Sequence, residues 1–358
     1  MATVVLAGGG TAGHIEPALA VAREWMKKNP SDTCIFLGTK SGLENTLVPA
    51  AGFELRLIPK VAISRKPSAT WLRIPLDLVS AVASSIKVVK QADVLIGFGG
   101  YVSAPAYLAA ALVRTPIVIH EANAKPGWAN RLGAMFTAHL AVAHPVSDGK
   151  FSDALLAGLP LRSDVARASV ASVSNWAAAR SGAKARLGFP ADAPLVFIMG
   201  GSQGSMAINA IVAQSVSSFN KKGISVLHSV GKLNVLPASQ GGYKPVAYVD
   251  AMADAYLAAD LIIARSGAVT CSEFRALGRY ALFVPLPIGN GEQFVNAASL
   301  VAAGRAEVIT QKEFTSEFIA AHIDRLLDAA SHAPIAGDNQ DLDAAQKIVA
   351  LTEFAMKS

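Results

Sequence analysis

The chain has 358 residues, 52% of them hydrophobic and 16% charged, with 32 Lys and Arg set against 26 Asp and Glu. A chain this long and this apolar suits two cored domains and excludes disorder over most of its length. The net charge of +6 suits phosphate-bearing substrates or anionic lipid, whereas no helix-turn-helix, zinc-finger or aromatic RNA-binding signature accompanies it, so no nucleic acid is expected as a partner.

Val4 to Ala7 reads as a buried strand that opens directly into Gly8-Gly9-Gly10-Thr11-Ala12-Gly13-His14 and an amphipathic helix from Ala18 to Lys28. Strand, glycine turn and helix in that order expose backbone N–H groups at the positive end of a helix dipole, a site for phosphate. Gly8, Gly10 and Gly13 also satisfy the dinucleotide fingerprint, but the second strand, Thr33 to Leu37, ends in Gly38-Thr39-Lys40 without the carboxylate that a nicotinamide ribose would need. His14 closes the loop in the first helical turn, facing whatever anion the loop holds.

Basic residues Lys60, Arg65, Lys66, Arg73, Lys87 and Lys90 then interleave with Trp71, Leu72, Ile74, Leu76 and Leu78, the composition of a membrane-surface patch. The windows 76–89 and 104–119 are broken by Asp77 and Lys87, and by Arg114 and Pro116, so neither offers the ~20 clean residues of a spanning helix. No leader pattern precedes the first strand, and a secreted precursor is not expected. Val94 to Ile96 leads to Gly99-Gly100-Tyr101-Val102-Ser103, and Ile117 to His120 leads to Glu121-Ala122-Asn123. Both polar groups fall at strand ends, where open α/β sheets bind ligands.

After His139 to Ala143 the alternation lapses through an Ala-, Ser- and Arg-rich stretch, 162–181, which places a domain boundary between about residues 160 and 190. It restarts with Leu195 to Met199, which opens into Gly200-Gly201-Ser202-Gln203-Gly204-Ser205, and continues through Ser225 to Val230, Val246 to Val249, Leu261 to Ala264 and Ala281 to Val284. Glu273 follows the glycine turn Arg265-Ser266-Gly267, where a carboxylate can accept from the vicinal hydroxyls of a ribose. Glu292, Gln293 and Asn296 share one face of a helix start and form a sugar-reading set. Asp341 to Met356 closes the chain as a terminal helix. Cys34 and Cys271 lie in apolar contexts far apart and read as buried thiols of a reducing compartment.

Taken together, Gly9 to His14, Gly99 to Ser103, His120 to Asn123, Gly200 to Gly204, Arg265 to Ala268 with Glu273, and Glu292-Gln293 with Asn296 resemble the MurG family, which transfers N-acetylglucosamine from its UDP ester to undecaprenyl-diphosphoryl-muramoyl-pentapeptide in peptidoglycan synthesis. The resemblance covers nearly the whole chain. It implies a GT-B architecture: two Rossmann-like, doubly wound α/β domains with an interdomain cleft, an acceptor- and membrane-facing domain at 1–162, a UDP-sugar domain at 163–340, and a helix at 341–358 returning to the first domain. By that likeness Glu273 holds the ribose, the backbone near Val249 reads uracil, and Ser202 with its loop holds the diphosphate. Asn123, Glu292 and Gln293 bind sugar hydroxyls, and Arg162 reaches the leaving phosphate. Gly10, Thr11, Ala12, Gly13, Gly100 and Tyr101 face the acceptor diphosphate.

Two positions depart from the family pattern: Gly158-Leu159-Pro160-Leu161-Arg162 stands where Gly-Asn-Pro is usual before the arginine, with the turn's Asn replaced by Leu159, and Glu292 stands where many members carry Gln. The reaction expected is an inverting transfer with His14 as base or as diphosphate ligand. Neither metal nor cofactor is expected, since the helix dipole, backbone N–H groups and Arg162 can answer the charge that develops on the diphosphate. Partners are UDP-N-acetylglucosamine, an undecaprenyl-linked acceptor and an anionic membrane surface at the cytoplasmic face, with protein partners left open. The rival readings are another GT-B transferase acting on a lipid or natural product, an NAD(P)-dependent oxidoreductase, and a non-catalytic sugar-nucleotide-binding protein.

Overall fold

The computed structural model describes residues 1–61, 74–147, 149–287 and 291–358. It divides into two compact units, one of Met1–Arg162 with Gln340–Ser358 and one of Ser163–Asn339.

In the first unit β1 (Thr3–Gly8), α1 (Ala12–Lys28), β2 (Thr33–Gly38), α2 (Glu44–Ala50), β3 (Glu54–Leu57), α3 (Ile74–Val89), β4 (Val94–Gly99), α4 (Ser103–Val113), β5 (Ile117–Glu121), α5 (Trp128–Gly133), β6 (Leu140–Val142) and β7 (Leu155–Leu156) follow in chain order. Their strands form one parallel sheet in the order β3-β2-β1-β4-β5-β6-β7. β1 and β4 are buried along nearly their whole length, as the unbroken apolar runs require when helices cover both faces of a parallel sheet. The order reverses between β1 and β4, so the helices that follow them leave to opposite sides and open a crevice at the strands' carboxyl ends.

In the second unit the Ala-rich stretch is two helices, α6 (Ser163–Ser174) and α7 (Trp176–Leu187), the latter capped by the Asn175 side chain, which accepts from the Ala178 N–H, and ended by Gly188 at φ +75°. Then come β8 (Leu195–Met199), α8 (Met206–Lys221), β9 (Ser225–Ser229), β10 (Tyr243–Val246), α9 (Met252–Ala258), β11 (Leu261–Ala264), α10 (Ala268–Leu277), β12 (Ala281–Phe283), α11 (Glu292–Ala302), β13 (Ala306–Val308) and α12 (Ser316–His332). The sheet order β10-β9-β8-β11-β12-β13 is the dinucleotide-fold order 3-2-1-4-5-6 counted within the unit. One strand sits differently from its expectation. Val246 to Val249 is read from sequence as a strand, but the ladder to β9 pairs Tyr243 to Val246, and Val249 lies in the loop beyond.

α13 (Ala344–Ala355) packs on α1, with Ile348 and Val349 inside the first unit's core. Asp341 pins its approach by accepting from the Leu159 N–H at 2.9 Å. Cys34 and Cys271 are both buried and free. Among the described residues no helix is long and apolar enough to cross a membrane.

Each unit buries one neutral histidine on a strand of its sheet, His120 on β5 and His228 on β9. His120 Nε2 donates to the Gly158 carbonyl at 2.9 Å, and His228 contacts the Tyr243 hydroxyl at 2.9 Å and Asn209 Oδ1 at 3.1 Å. Burial holds each imidazole down to about 4. The unfolded chain takes up these protons below about pH 6.5 while the folded chain does not until about pH 4, so stability falls as pH drops through that window, by up to about 3 kcal/mol per histidine. Urea unfolding of the full chain at a series of pH values should show this loss, and His120→Gln or His228→Gln should flatten the slope. An unchanged slope in both variants would place the acid sensitivity elsewhere.

Candidate active site

The first unit's site grows out of the two strands at the reversal point. β1 runs into Gly8-Gly9-Gly10 and β4 into Gly99-Gly100-Tyr101. Gly10 adopts φ +90° and lies against the Tyr101 ring, where a Cβ would stand 2.6 Å from Cε1. Gly100, at φ +82°, passes so near the first loop that a Cβ would come 2.5 Å from the Gly9 carbonyl oxygen and 3.0 Å from His14 Nδ1. Only glycine meets both demands. α1 begins after Thr11, whose side chain makes no cap bond, so the first-turn N–H groups around Ala12 and Gly13 have no acceptor within the helix.

His14 sits in that first turn, half-buried, with Nδ1 3.2 Å from the Gly9 carbonyl oxygen and 3.4 Å from Thr11 Oγ1. A carbonyl only accepts, so Nδ1 carries the proton and the neutral ring presents a lone pair at Nε2. Burial lowers the pKa of the imidazole, while the Glu121 carboxylate, the bond to Gly9 and the Glu44 carboxylate pull it part of the way back up. The site therefore holds a neutral base near neutral pH.

Two buried carboxylates flank it. Glu121, at the end of β5, accepts from the Asn123 N–H at 2.8 Å and Nδ2 at 3.1 Å, and from the Gly127 N–H and Asn130 Nδ2 at 2.9 Å each. Asn130 is itself held by the Tyr107 hydroxyl at 2.7 Å. Asn123 thus spends its amide N–H on Glu121 and keeps its carbonyl for other work. Glu44, fully buried at the start of α2, accepts from the Gly10 N–H at 3.0 Å, the Thr39 N–H at 2.9 Å and the Tyr101 hydroxyl at 3.2 Å. The sequence reading missed Glu44, and it corrects the picture of the first loop as an open phosphate cradle, because the Gly10 N–H already serves a carboxylate. The usable signal is the acidic residue that opens a helix two positions after the glycine pair Gly38 and Gly42 at a strand end. Arg162 lies at the end of this unit with Nη1 3.7 Å from Glu16 Oε1.

In the second unit the loop after β8 carries Ser202, half-buried, and Ser205, whose Oγ caps α8 by accepting from the Ile208 N–H at 3.4 Å. Behind the loop stands Arg265, buried, donating to Ser205 Oγ at 2.9 Å, Gln311 Oε1 at 2.6 Å and the carbonyls of Val284 and Pro285 at 2.8 and 2.9 Å. Glu273, on α10, is 2% exposed and accepts from the Tyr256 hydroxyl at 2.7 Å. Val249 is buried in the loop after β10. Glu292 and Gln293 open α11, and Gln293 Oε1 accepts from the Leu286 N–H at 2.9 Å. All of these follow the carboxyl ends of parallel strands and so share one edge of the sheet. Ile288 to Asn290 of the same motif lie outside the described residues, as do Arg65, Lys66, Trp71, Leu72 and Arg73 of the basic stretch. A cavity of about 420 Å³ among α6, α7 and α9 includes none of the site residues.

Residues 4–142 match the glycosyltransferase family 28 N-terminal domain and residues 195–350 its C-terminal domain. A UDP-N-acetylglucosamine–N-acetylmuramyl-(pentapeptide) pyrophosphoryl-undecaprenol N-acetylglucosamine transferase of Corynebacterium glutamicum is 45% identical over 332 residues, covering 92% of this chain and 90% of that protein. Its counterpart in Thermobifida fusca is 45% identical over 90% of this chain and 85% of its own. The crystal structure of Acinetobacter baumannii MurG superposes with a TM-score of 0.67 at 26% identity, covering 99% of this chain and all of that one. The glycosyltransferase CalG4, at 13% identity and a TM-score of 0.60, shares the fold alone. With both family 28 domains in order and relatives alike from end to end, this chain belongs to the MurG family of GT-B glycosyltransferases.

Proposed function

We propose that the chain moves N-acetylglucosamine from UDP-N-acetylglucosamine to the 4-hydroxyl of the muramoyl sugar of undecaprenyl-diphosphoryl-muramoyl-pentapeptide, converting lipid I to lipid II. The observation that carries this is 45% identity to a transferase of that name over nine-tenths of both chains. Neither the oxidoreductase nor the natural-product transferase reading has support of that kind. Radiolabel transfer from UDP-N-acetylglucosamine to a short-chain lipid I analogue tests it directly.

The chemistry follows from the geometry of each unit. In an inverting transfer the acceptor oxygen forms a bond to the anomeric carbon while the bond from that carbon to the diphosphate oxygen breaks, and UDP leaves with the electron pair. The acceptor's proton needs a neutral base. His14 Nε2 offers one, because Nδ1–H is committed to the Gly9 carbonyl. A neutral imidazole with its lone pair outward is a poor anion ligand, which favours the base over the diphosphate-binding role. The acceptor diphosphate falls to the N–H groups of Thr11, Ala12 and Gly13 at the start of α1, with Gly100 and Tyr101 shaping the loop. On the second unit, Glu273 takes the ribose, the backbone near Val249 the uracil, Ser202 and its loop the diphosphate, and Glu292 and Gln293 the sugar. Asn123 and Arg162 of the first unit are assigned to sugar and leaving phosphate.

The reading of a peripheral enzyme at the cytoplasmic face of a membrane is supported by apolar and basic side chains exposed on the first unit. Leu76 and Val79 on α3, Leu112 on α4, and Trp128, Met135 and Phe136 at α5 are exposed, with Lys87, Lys90, Arg114, Lys125 and Arg131 exposed on the same elements or next to them. α3 packs on α4 and α4 on α5. These groups therefore belong to one run of neighbouring helices.

Three outcomes are expected. His14→Ala lowers turnover by roughly a hundredfold to ten-thousandfold with donor affinity near normal; a raised acceptor KM at normal turnover would return the residue to a binding role. Glu273→Ala weakens UDP-sugar binding in calorimetry by about 1.5 to 3 kcal/mol, and unchanged affinity would sink the ribose assignment. Leu76→Asp with Val79→Asp lowers affinity for anionic vesicles by about tenfold or more, since each side chain forfeits about 1.5 kcal/mol or more of burial. Binding that persists in the double variant and ignores salt would place the membrane face elsewhere.

A further inference from the structure

The Gly9–Gly10 peptide is held at both ends by ionisable side chains. Its carbonyl accepts from His14 Nδ1 at 3.2 Å, and its N–H donates to Glu44 Oε2 at 3.0 Å. We propose that Glu44 is a positioning residue for the transfer reaction, acting on His14 through this one peptide group as the carboxylate of a Glu–peptide–His relay. The inference deepens the reading of His14 as base and rests on it.

Four features of the geometry support the relay. Glu44 has no solvent exposure, and among the described residues no lysine or arginine pairs with it, so its charge is answered by hydrogen-bond donors. Those donors come from the ends of three adjacent strands: Thr39 after β2, Gly10 after β1 and Tyr101 after β4. The chain makes room for the carboxylate with glycines, since a Cβ on Gly42 would land on it and a Cβ on Gly38 would stand 2.5 Å from its Cγ. A peptide between two glycines, one of them at φ +90°, is also the kind most free to turn over. With Glu44 on one side and His14 on the other, it has one orientation.

The consequence is electrostatic as well as steric. A buried carboxylate on the N–H polarises the peptide and makes the Gly9 carbonyl a stronger acceptor. That bond fixes Nδ1–H, and the negative charge behind it strengthens Nε2 as a base. Serine hydrolases with a Ser-His-Asp triad place a carboxylate directly on the histidine for the same purpose; here a peptide stands between. The charged groups facing the imidazole are Glu44 from α2 and Glu121 from β5, both of which favour the protonated ring against its burial. Tyr101, beyond Glu44, stays protonated as a donor, its pKa raised by burial. Lys60 stands 5.4 Å from the centre of the Tyr101 ring.

The test is the titration of His14 in the full-length protein, labelled with 15N-histidine, in the wild type, Glu44→Gln and Glu44→Asp. In the wild type the neutral ring should be the Nδ1–H tautomer. Glu44→Gln keeps the shape and removes the charge. The His14 titration should then move to lower pH by about one unit, the acid limb of the pH–rate profile should follow it, and kcat should fall about three- to tenfold. The KM for UDP-N-acetylglucosamine should stay unchanged. Glu44→Asp, which keeps the charge on a shorter arm, should fall between. An Nε2–H tautomer in the wild type, or a folded Glu44→Gln protein with an unmoved His14 titration, would overturn the relay. The titration is read without turnover, so a His14→Ala enzyme that remains active would remove the base assignment and leave the relay to stand or fall by its own measurement.

Discussion

A parallel sheet sends every strand's carboxyl end to the same edge, and everything this chain does is built on that constraint. In each unit the strand order reverses beside the first strand, β1 against β4 and β8 against β11, and the helices that follow part to opposite faces there. The edge at that point has room for a ligand and is lined by helix starts. Glycine turns are what let the backbone reach into the gap: Gly10 and Gly100 approach Tyr101, Gly9 and His14 more closely than any side chain would allow.

The two edges share a fold and differ in charge. Beneath the first unit's glycine loop lie Glu44 and Glu121, both buried and each accepting from neutral donors. Beneath the second unit's loop lies Arg265, whose acceptors among the described residues are two carbonyls, a hydroxyl and an amide oxygen. Burying an ion in either place is costly unless hydrogen bonds surround it. The chain accepts that cost with opposite signs, a negative interior behind the proposed base His14 and a positive one behind the loop proposed to hold the diphosphate. Sequence alone shows two similar glycine loops; the charges behind them make the loops different instruments.

Much of this was legible beforehand because the signals were local. Apolar β-branched runs gave the strands, the loops gave the helix starts, and Glu273, Gln293 and His14 each sit on the helix that follows a strand, where position along the chain determines position at the sheet edge. The family resemblance rested on the same local motifs. What was not legible depends on folding at a distance. Glu44 is an ordinary helix-start acid in sequence, and only the order β2-β1-β4 brings Gly10 and Tyr101 to it from 34 and 57 residues away. Val249 moved from strand to loop because the ladder to β9 ends at Val246, a register that apolar content cannot reveal.

The same reasoning explains why Asn123 and Gln293 are partly spoken for before any ligand arrives. Asn123 gives its N–H groups to Glu121, and Gln293 its carbonyl to Leu286. An amide that has fixed one end presents the other in a single direction: the carbonyl in Asn123, the NH2 in Gln293. Orientation bought by an internal bond lowers the entropy lost on binding, and it commits each side chain to one kind of partner group. In the sugar-binding roles proposed for them, Asn123 is thereby prepared to accept from a hydroxyl and Gln293 to donate to one, and a hydroxyl can serve either.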